Sequence, residues 1–355
     1  MLIELILALL GGLAVYLQHP ALLGFFVDSS LLTTDPTSSP AAFLSAWTGL
    51  FRSHLQLWAG TVGVAYLLLY VLVPRLAACT RNYKLHREYP PLRLCCVEAL
   101  RSARGLAIAA AIELAIVHGY RRGSFPLVRI FGNDGGALGL PEAPSSSSGP
   151  STVPLLPLLL GGLLLSVVEE THFYWSHRML HAVPFLYRHV HKDHHQSFNP
   201  DPLSGLSMHW FESAVYFSAA ACVACVAPQV WLARLAVKVL VLTPLQGHSG
   251  MAPAAARHSA GAGAVLSLGP LDVIFDAGID HYIHHAKFNY NYGANPLWDM
   301  VMGTRFPEDK LQEFLRKGGG RGGAAKTTKR AVDGTGDVRE MEARKQAELV
   351  GAKYD

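Results

Sequence analysis

Residues 155–195 read LLPLLLGGLLLSVVEETHFYWSHRMLHAVPFLYRHVHKDHH. An apolar run from Leu155 to Val168 passes without a break into a stretch dense in histidine. The run has the character of a membrane span, which takes about 20 predominantly apolar residues as a helix. The first histidine pair, His177 and His181, is four residues apart. On a helix, residues three and four apart share a face, so both rings can point at one metal ion. His191-Lys-Asp-His194-His195 follows, and a third group, His281-Tyr-Ile-His284-His285, repeats its pattern. His191 can sit beside His194 and His195, and His281 beside His284 and His285. Adjacent histidines diverge by about 100° on a helix, so each of a pair can reach a different ion.

The chain has 17 histidines, and most fall between His172 and His285. One zinc site takes three or four ligands. The eight boxed histidines are too many for one ion and about right for two. His248, in Gly247-His248-Ser249-Gly250, is expected to join them, and His209, in His209-Trp-Phe-Glu212, is an additional candidate. Imidazole suits iron, zinc, copper and nickel alike. Neutral ligands leave two divalent ions their full charge, and iron is the redox-active choice where zinc is not. A ligating histidine usually gives its other nitrogen to a carboxylate or carbonyl. Glu170, Glu212 and Asp280 are candidates for that role, with Asp193 and Asp299 behind them. His172, His189 and His258 read as packing or surface residues, and His19, His54, His86 and His118 as structural.

Only 16% of the 355 residues are charged and mean hydropathy is positive, against about 25% charge in soluble domains. The pattern predicts an all-α integral membrane protein of about four transmembrane helices. The expected spans are 2–16, 57–76, 105–117, with a backward extension through 92–100 as an alternative, and 155–168, with residues 28–55 a polar loop. Residues 213–226 and 230–242 are each short for a span and meet at Pro228. They read as a helical hairpin dipping into the membrane. The basic residues from Arg75 to Arg104 mark a cytosolic loop, and this topology puts every histidine box on the cytosolic side. The domain reading is an N-terminal transmembrane region over 1–150, a catalytic domain over 151–310 and a flexible basic tail over 316–355. No basic stripe interleaved with aromatics is present, which excludes nucleic acid as a partner. The five cysteines imply no disulfide framework, and Cys222-x-x-Cys225, inside an apolar run, reads as a buried pair of small hydrophobes.

The stretch Glu170-x-x-Phe173-Tyr174-Trp175-Ser176-His177-Arg178-x-x-His181, with Leu186-Tyr187, His191-x-x-His194-His195, His209-x-x-Glu212, His248-Ser249-Gly250, His281-x-x-His284-His285 and Asn291-Tyr292-Gly293, resembles the fatty acid hydroxylase/sterol desaturase superfamily. The resemblance covers roughly residues 155–306. Glu170 departs from the family's usual aspartate, Trp210 from a frequent proline and Asp280 from a frequent histidine. The resemblance implies a multi-pass endoplasmic reticulum enzyme with two iron ions. Its electrons would come from NAD(P)H through cytochrome b5 and its reductase. It implies desaturation or hydroxylation of a membrane lipid, a sterol first, with acyl or sphingoid hydroxylation or sterol C4-methyl oxidation as alternatives. A histidine-rich membrane metal transporter is the competing reading from another class. It predicts ionisable groups within the spans, where the sequence offers Glu4, Glu113 and Lys238.

Overall fold

The computed structural model describes residues 35–67, 90–126, 155–197, 200–227, 230–250 and 270–316. All regular structure among them is helical. The expected span 2–16 and nearly all of the tail 316–355 lie outside the described residues. Contacts divide the chain into two units, residues 1–307 and 308–355. In the second unit, one helix, Glu308–Arg316, is described.

The first helix, α1 (Pro40–Ala65), replaces residues 40–55 of the loop expected over 28–55, of which 28–34 lie outside the described residues. Ser39 is its N-cap and accepts the Ala42 N–H, and Pro40 occupies the first turn, where its missing N–H costs nothing. Leu50, His54, Trp58 and Val62 recur every four residues and form its buried stripe. The Ser, Thr and Pro residues before Ala41 are what give the segment the composition of a loop. Helix α2 (Leu92–Arg121) is one unbroken helix, so Arg93, Arg101 and Arg104 lie on a helix and not in a loop. It stops at Gly123, whose φ of 60° is the left-handed conformation that closes helix C-termini.

Helix α3 (Leu155–Ala182) carries the apolar run and the first histidine box on one continuous rod. Pro184 ends it, because the residue before a proline is pushed out of the helical region, and α4 (Pro184–His189) follows. The second box is a 3₁₀ helix, His191–Gln196. Next come α5 (Trp210–Phe217) and α6 (Ala219–Val226), which break at Ser218. Helix α7 (Val230–Gly247) runs five residues past the expected end of the hairpin. Helix α8 (Pro270–Lys287) carries the third box, and α9 (Leu297–Val301) closes the unit.

α7 is the hub, packed against α1, α2, α3, α6 and α8. Alanines and valines on α6 and α7 are wholly buried and let the backbones approach. α7 alone among the described residues is long and apolar enough to cross a membrane, and 61% of it is buried inside the structure. At Gly205, a Cβ would press within 3.0 Å of the Pro244 backbone oxygen, so the segment after the second box lies directly on α7. Cys222 and Cys225 are exposed, correcting the expectation of a buried pair. Val223 and Ala224 between them take the inner face of the helix.

Beneath this core, four ionisable side chains from three helices meet without water contact. Glu113 of α2 accepts from Arg234 Nε and Lys238 Nζ of α7, both at 2.7 Å, and lies 3.0 Å from His54 of α1. Arg234 passes unnoticed in the sequence because it stands alone among apolar neighbours. Glu113→Ala removes the carboxylate both cations share and should cost about 3–5 kcal/mol. The measurement is thermal unfolding of detergent-solubilised protein. A midpoint equal to the parent's would show that the cluster does not hold α1, α2 and α7 together.

Candidate metal centre

Nine histidines converge in two groups: His177, His181, His191, His195 and His284, then His194, His248, His281 and His285. In each group one ligand-capable atom per residue lies within 4.8 Å of all the others. These are the nine histidines expected to act as ligands, and the structure brings all of them together. The two groups adjoin, with the ring centroids of His195 and His285 4.7 Å apart.

The division between groups follows from local geometry. On α8, His281 and His285 are four apart and share a group, while His284 turns to the other. Along the 3₁₀ segment, His191 and His195 face the first group and His194 faces the second. The sequence pattern had grouped His191 with both of its neighbours, and His281 with both of its own. The expected divergence of adjacent histidines instead assigns them to two centres.

Backbone carbonyls decide where the protons sit. His177 Nδ1–H donates to the Tyr292 carbonyl at 2.6 Å, and His284 Nδ1–H to the Tyr290 carbonyl at 2.8 Å. A carbonyl only accepts, so in the neutral ring Nε2 is left with its lone pair. Desolvation pushes His284, His194 and His195 well below the usual histidine range, so these rings are neutral near pH 7. In the first group, six Nε2-to-Nε2 approaches fall between 2.9 and 3.2 Å. His177 and His284 are already committed, so only three rings can still carry a hydrogen at Nε2. Hydrogen bonding cannot satisfy six approaches with three hydrogens, and lone pairs face lone pairs. A cation at the point of convergence resolves this, and the donor set fits one.

The second group repeats the device. His248 Nδ1–H donates to the Pro244 carbonyl at 2.8 Å, and its Nε2 lies 3.1 Å from His281 Nε2, which lies 3.0 Å from His285 Nε2. Burial lowers the His248 pKa to about 4, against the opposing effect of the Pro244 hydrogen bond. The buried Nδ1 atoms of His194 and His285 find no hydrogen-bond partner among the described residues.

The other candidates separate clearly. Glu212 Oε1 lies 2.7 Å from His191 Nδ1, placed to receive its proton when Nε2 binds a metal. Glu170 accepts the Ala294 and Asn295 N–H groups and so holds the loop after α8. Asp280 receives the Asn291 amide, and Asp299 accepts from Tyr292, Gly293 and Thr304. Glu170, Asp280 and Asp299 therefore shape the loop whose carbonyls orient the rings. Asp193 pairs with Arg101 of α2 at 3.4 Å. His209 caps α5, its Nδ1 accepting the Phe211 N–H, and belongs to neither group. The residues that sequence reasoning missed are Pro244, Tyr290 and Tyr292. They act through carbonyls that every residue has, so no side-chain signal marks them.

Residues 162–304 match the fatty acid hydroxylase family. Over this segment, about two fifths of the chain, the sequence is similar to that family. All nine histidines of the two groups lie inside the matched segment. Among curated relatives, a Delta(7)-sterol 5(6)-desaturase of Leptosphaeria maculans is 30% identical over 39% of this chain and 35% of its own length. A methylsterol monooxygenase, erg25B, of Aspergillus fumigatus is 28% identical over 41% of this chain and 48% of its own. A very-long-chain aldehyde decarbonylase, GL1-9, of Oryza sativa subsp. indica is 26% identical over 44% and 58%. The chain spans between about a third and about a half of the length of the first curated relatives it matches. No solved structure matches.

Gly293 gives a test of the carbonyl device. A Cβ there would collide with the Asn295 carbonyl and Glu170 Oε1 and crowd Asp299. Gly293→Ala should displace the Tyr292 carbonyl from His177 and weaken metal binding about 10- to 100-fold, measured by metal titration of stripped protein. Undiminished affinity would mean that the loop does not orient the ring.

Proposed function

We propose that the chain is a membrane-bound, two-iron oxidoreductase that desaturates or hydroxylates a lipid, a sterol first. The observation that carries this reading is the pair of adjoining imidazole groups with lone pairs turned inward, at the end of an apolar cleft. His177, His191, His194, His248 and His281, drawn from both groups, line that cleft. Its other walls include Phe173, Leu180, Met208, Val215, Tyr216 and Leu240. The empty space along it, open solvent at the mouth included, is about 930 Å³. The family is one of histidine-box iron enzymes, and several relatives are named as sterol 5(6)-desaturases.

Iron held by the nine histidines would supply dioxygen activation for attack on an unactivated C–H bond. The protein's own residues do the rest. The carbonyls of Pro244, Tyr290 and Tyr292 keep three rings in the metal-binding tautomer. Glu212 takes a hydrogen bond from His191 and makes it a stronger donor. Phe173 and Tyr216 pack edge to face beside His177 and help exclude water from the reacting end.

Membrane embedding is part of the proposal. Leu160, Leu163 and Val167 of α3 recur at three- and four-residue spacing and are about half exposed. Such a stripe suits contact with lipid tails better than with water. The location would be the endoplasmic reticulum, with the histidines facing the cytosol. Electrons would come from NAD(P)H by way of cytochrome b5 and its reductase.

The test is conversion by purified, iron-loaded protein with dioxygen and a reducing partner. A Δ7-sterol should gain a double bond or a hydroxyl, and His284→Ala should reduce turnover at least about 100-fold, because it removes a group the reaction centre depends on. Lipid profiling of a null mutant is the companion measurement. Altered acyl or sphingoid lipids with unchanged sterols would move the substrate to a chain lipid. No conversion of either class would overturn the reading.

A further inference from the structure

A third group of ligand-capable side chains lies apart from the histidines. Cys95 and Glu98 are three residues apart on α2 and so share a face. Asp201 meets them from the segment that follows the second box. One atom of each, the Cys95 thiol sulfur and a carboxylate oxygen from both acids, lies within 4.8 Å of the other two. Glu98 and Asp201 are each 1% exposed.

Two carboxylates in buried contact repel unless a proton or a cation stands between them. Glu98 Oε1 accepts from the Ser197 hydroxyl, whereas Oε2 is buried with no hydrogen-bond partner. Asp201 Oδ1 accepts the Leu203 N–H at 2.7 Å, which fixes the carboxylate's orientation. Cys95 is partly exposed and gives solvent access to the group.

We propose that Cys95, Glu98 and Asp201 hold a divalent cation of borderline softness, zinc first, in a structural site separate from the histidine centre. The thiolate selects against magnesium and calcium, which prefer all-oxygen shells. Zinc binds sulfur and carboxylate oxygen at about 2.3 and 2.0–2.2 Å, so the three donors, within 4.8 Å of one another, would have to draw together around one ion. Water supplies a fourth donor from the open side. Binding releases the Cys95 proton to solvent, as thiolate ligation requires.

The site's place in the fold gives it a use. Arg101, two turns from Cys95 on α2, donates to the Asp193 carbonyl at 3.2 Å, and Ser102 donates to the Leu203 carbonyl at the same distance. The start of α2 thus grips both ends of the segment from 193 to 203, and the ion adds a third tie. That segment continues directly from the second histidine box, so the ion would hold the box in place without entering the reaction.

Cobalt(II) tests this, because a thiolate ligand gives a near-ultraviolet charge-transfer band that imidazole does not. The full chain carrying Cys222→Ser and Cys225→Ser is stripped of metal and titrated with cobalt. The expected result is a thiolate band saturating at one ion per chain. Cys95→Ser should abolish it, and Glu98→Gln should weaken that binding at least tenfold. Visible bands from histidine-bound cobalt, read in the same sample, should persist in both variants and show that they are folded. Failure of the histidine reading would remove the visible bands and leave the thiolate band. The proposal is overturned if the parent shows no thiolate band, as a proton shared by Glu98 and Asp201 would predict, or if the band survives Cys95→Ser. Should Glu98→Gln fail to fold, Cys95→Ser decides alone, since it exchanges only one atom at a partly exposed position.

Discussion

Six approaches between imidazole nitrogens at hydrogen-bond distance, with hydrogens for at most three of them, form the constraint on which the site depends. Such an arrangement is unfavourable in the absence of a cation, since each buried lone pair without a donor loses its hydration for nothing. It persists because other features hold it. Three carbonyls take the Nδ1 protons, and those carbonyls are in turn held. The loop containing Tyr290 and Tyr292 is tied down by Asp299 and Glu170, and Asn291, at a φ of 55°, links it to Asp280 and Phe306. Pro244 contributes from inside α7, at the point where the helix meets the segment carrying Gly205.

The helix bundle serves this arrangement by bringing five segments to one place. α3, the 3₁₀ turn, α5, the end of α7 and α8 each contribute a ring or the carboxylate that orients one. Precision at that meeting point needs rigid supports, and α7 provides the main one. Its buried face of small and branched residues sits against α2 and α6, and its two cations lock onto Glu113. A buried ion cluster adds little net stability by comparison with apolar packing. Its geometry is far more exacting, and that is what fixes how α1, α2 and α7 align.

What the sequence reveals is the chemistry, and what it conceals is the support. Histidine spacing identifies eight of the nine converging rings because imidazole is a rare side chain and its periodicity survives any fold, and His248 is expected from its place beside the apolar hairpin. The same spacing cannot tell a 3₁₀ turn from an α-helix, so the partition of His191, His194 and His195 between groups is invisible until the backbone is known. α1 hides because the Ser-, Thr- and Pro-rich stretch leading up to it sets the reading of the whole segment, although Ser39-Pro40 is an ordinary helix start. Cys222 and Cys225 lie in an apolar run whose inner face belongs to Val223 and Ala224. The orienting carbonyls leave no trace in side-chain identity at all. His209 illustrates the reverse error, a histidine in the right neighbourhood that is occupied in capping a helix.

The length of α3 connects the two halves of the proposed function. Its exposed apolar stripe ends at Val167, and His177 follows ten residues later, so the two lie about 15 Å apart along one rigid helix. A lipid reacting at the histidines would therefore have to leave the layer that this stripe contacts, or reach well beyond it. The cleft is built for such a passage. Leu240, Thr243, Gln246 and His248 line it in order along α7 and beyond its end, so its wall changes from apolar to polar toward the rings. An apolar body can stay solvated by protein along the whole path while its reacting carbon approaches the neutral, cation-accepting centre.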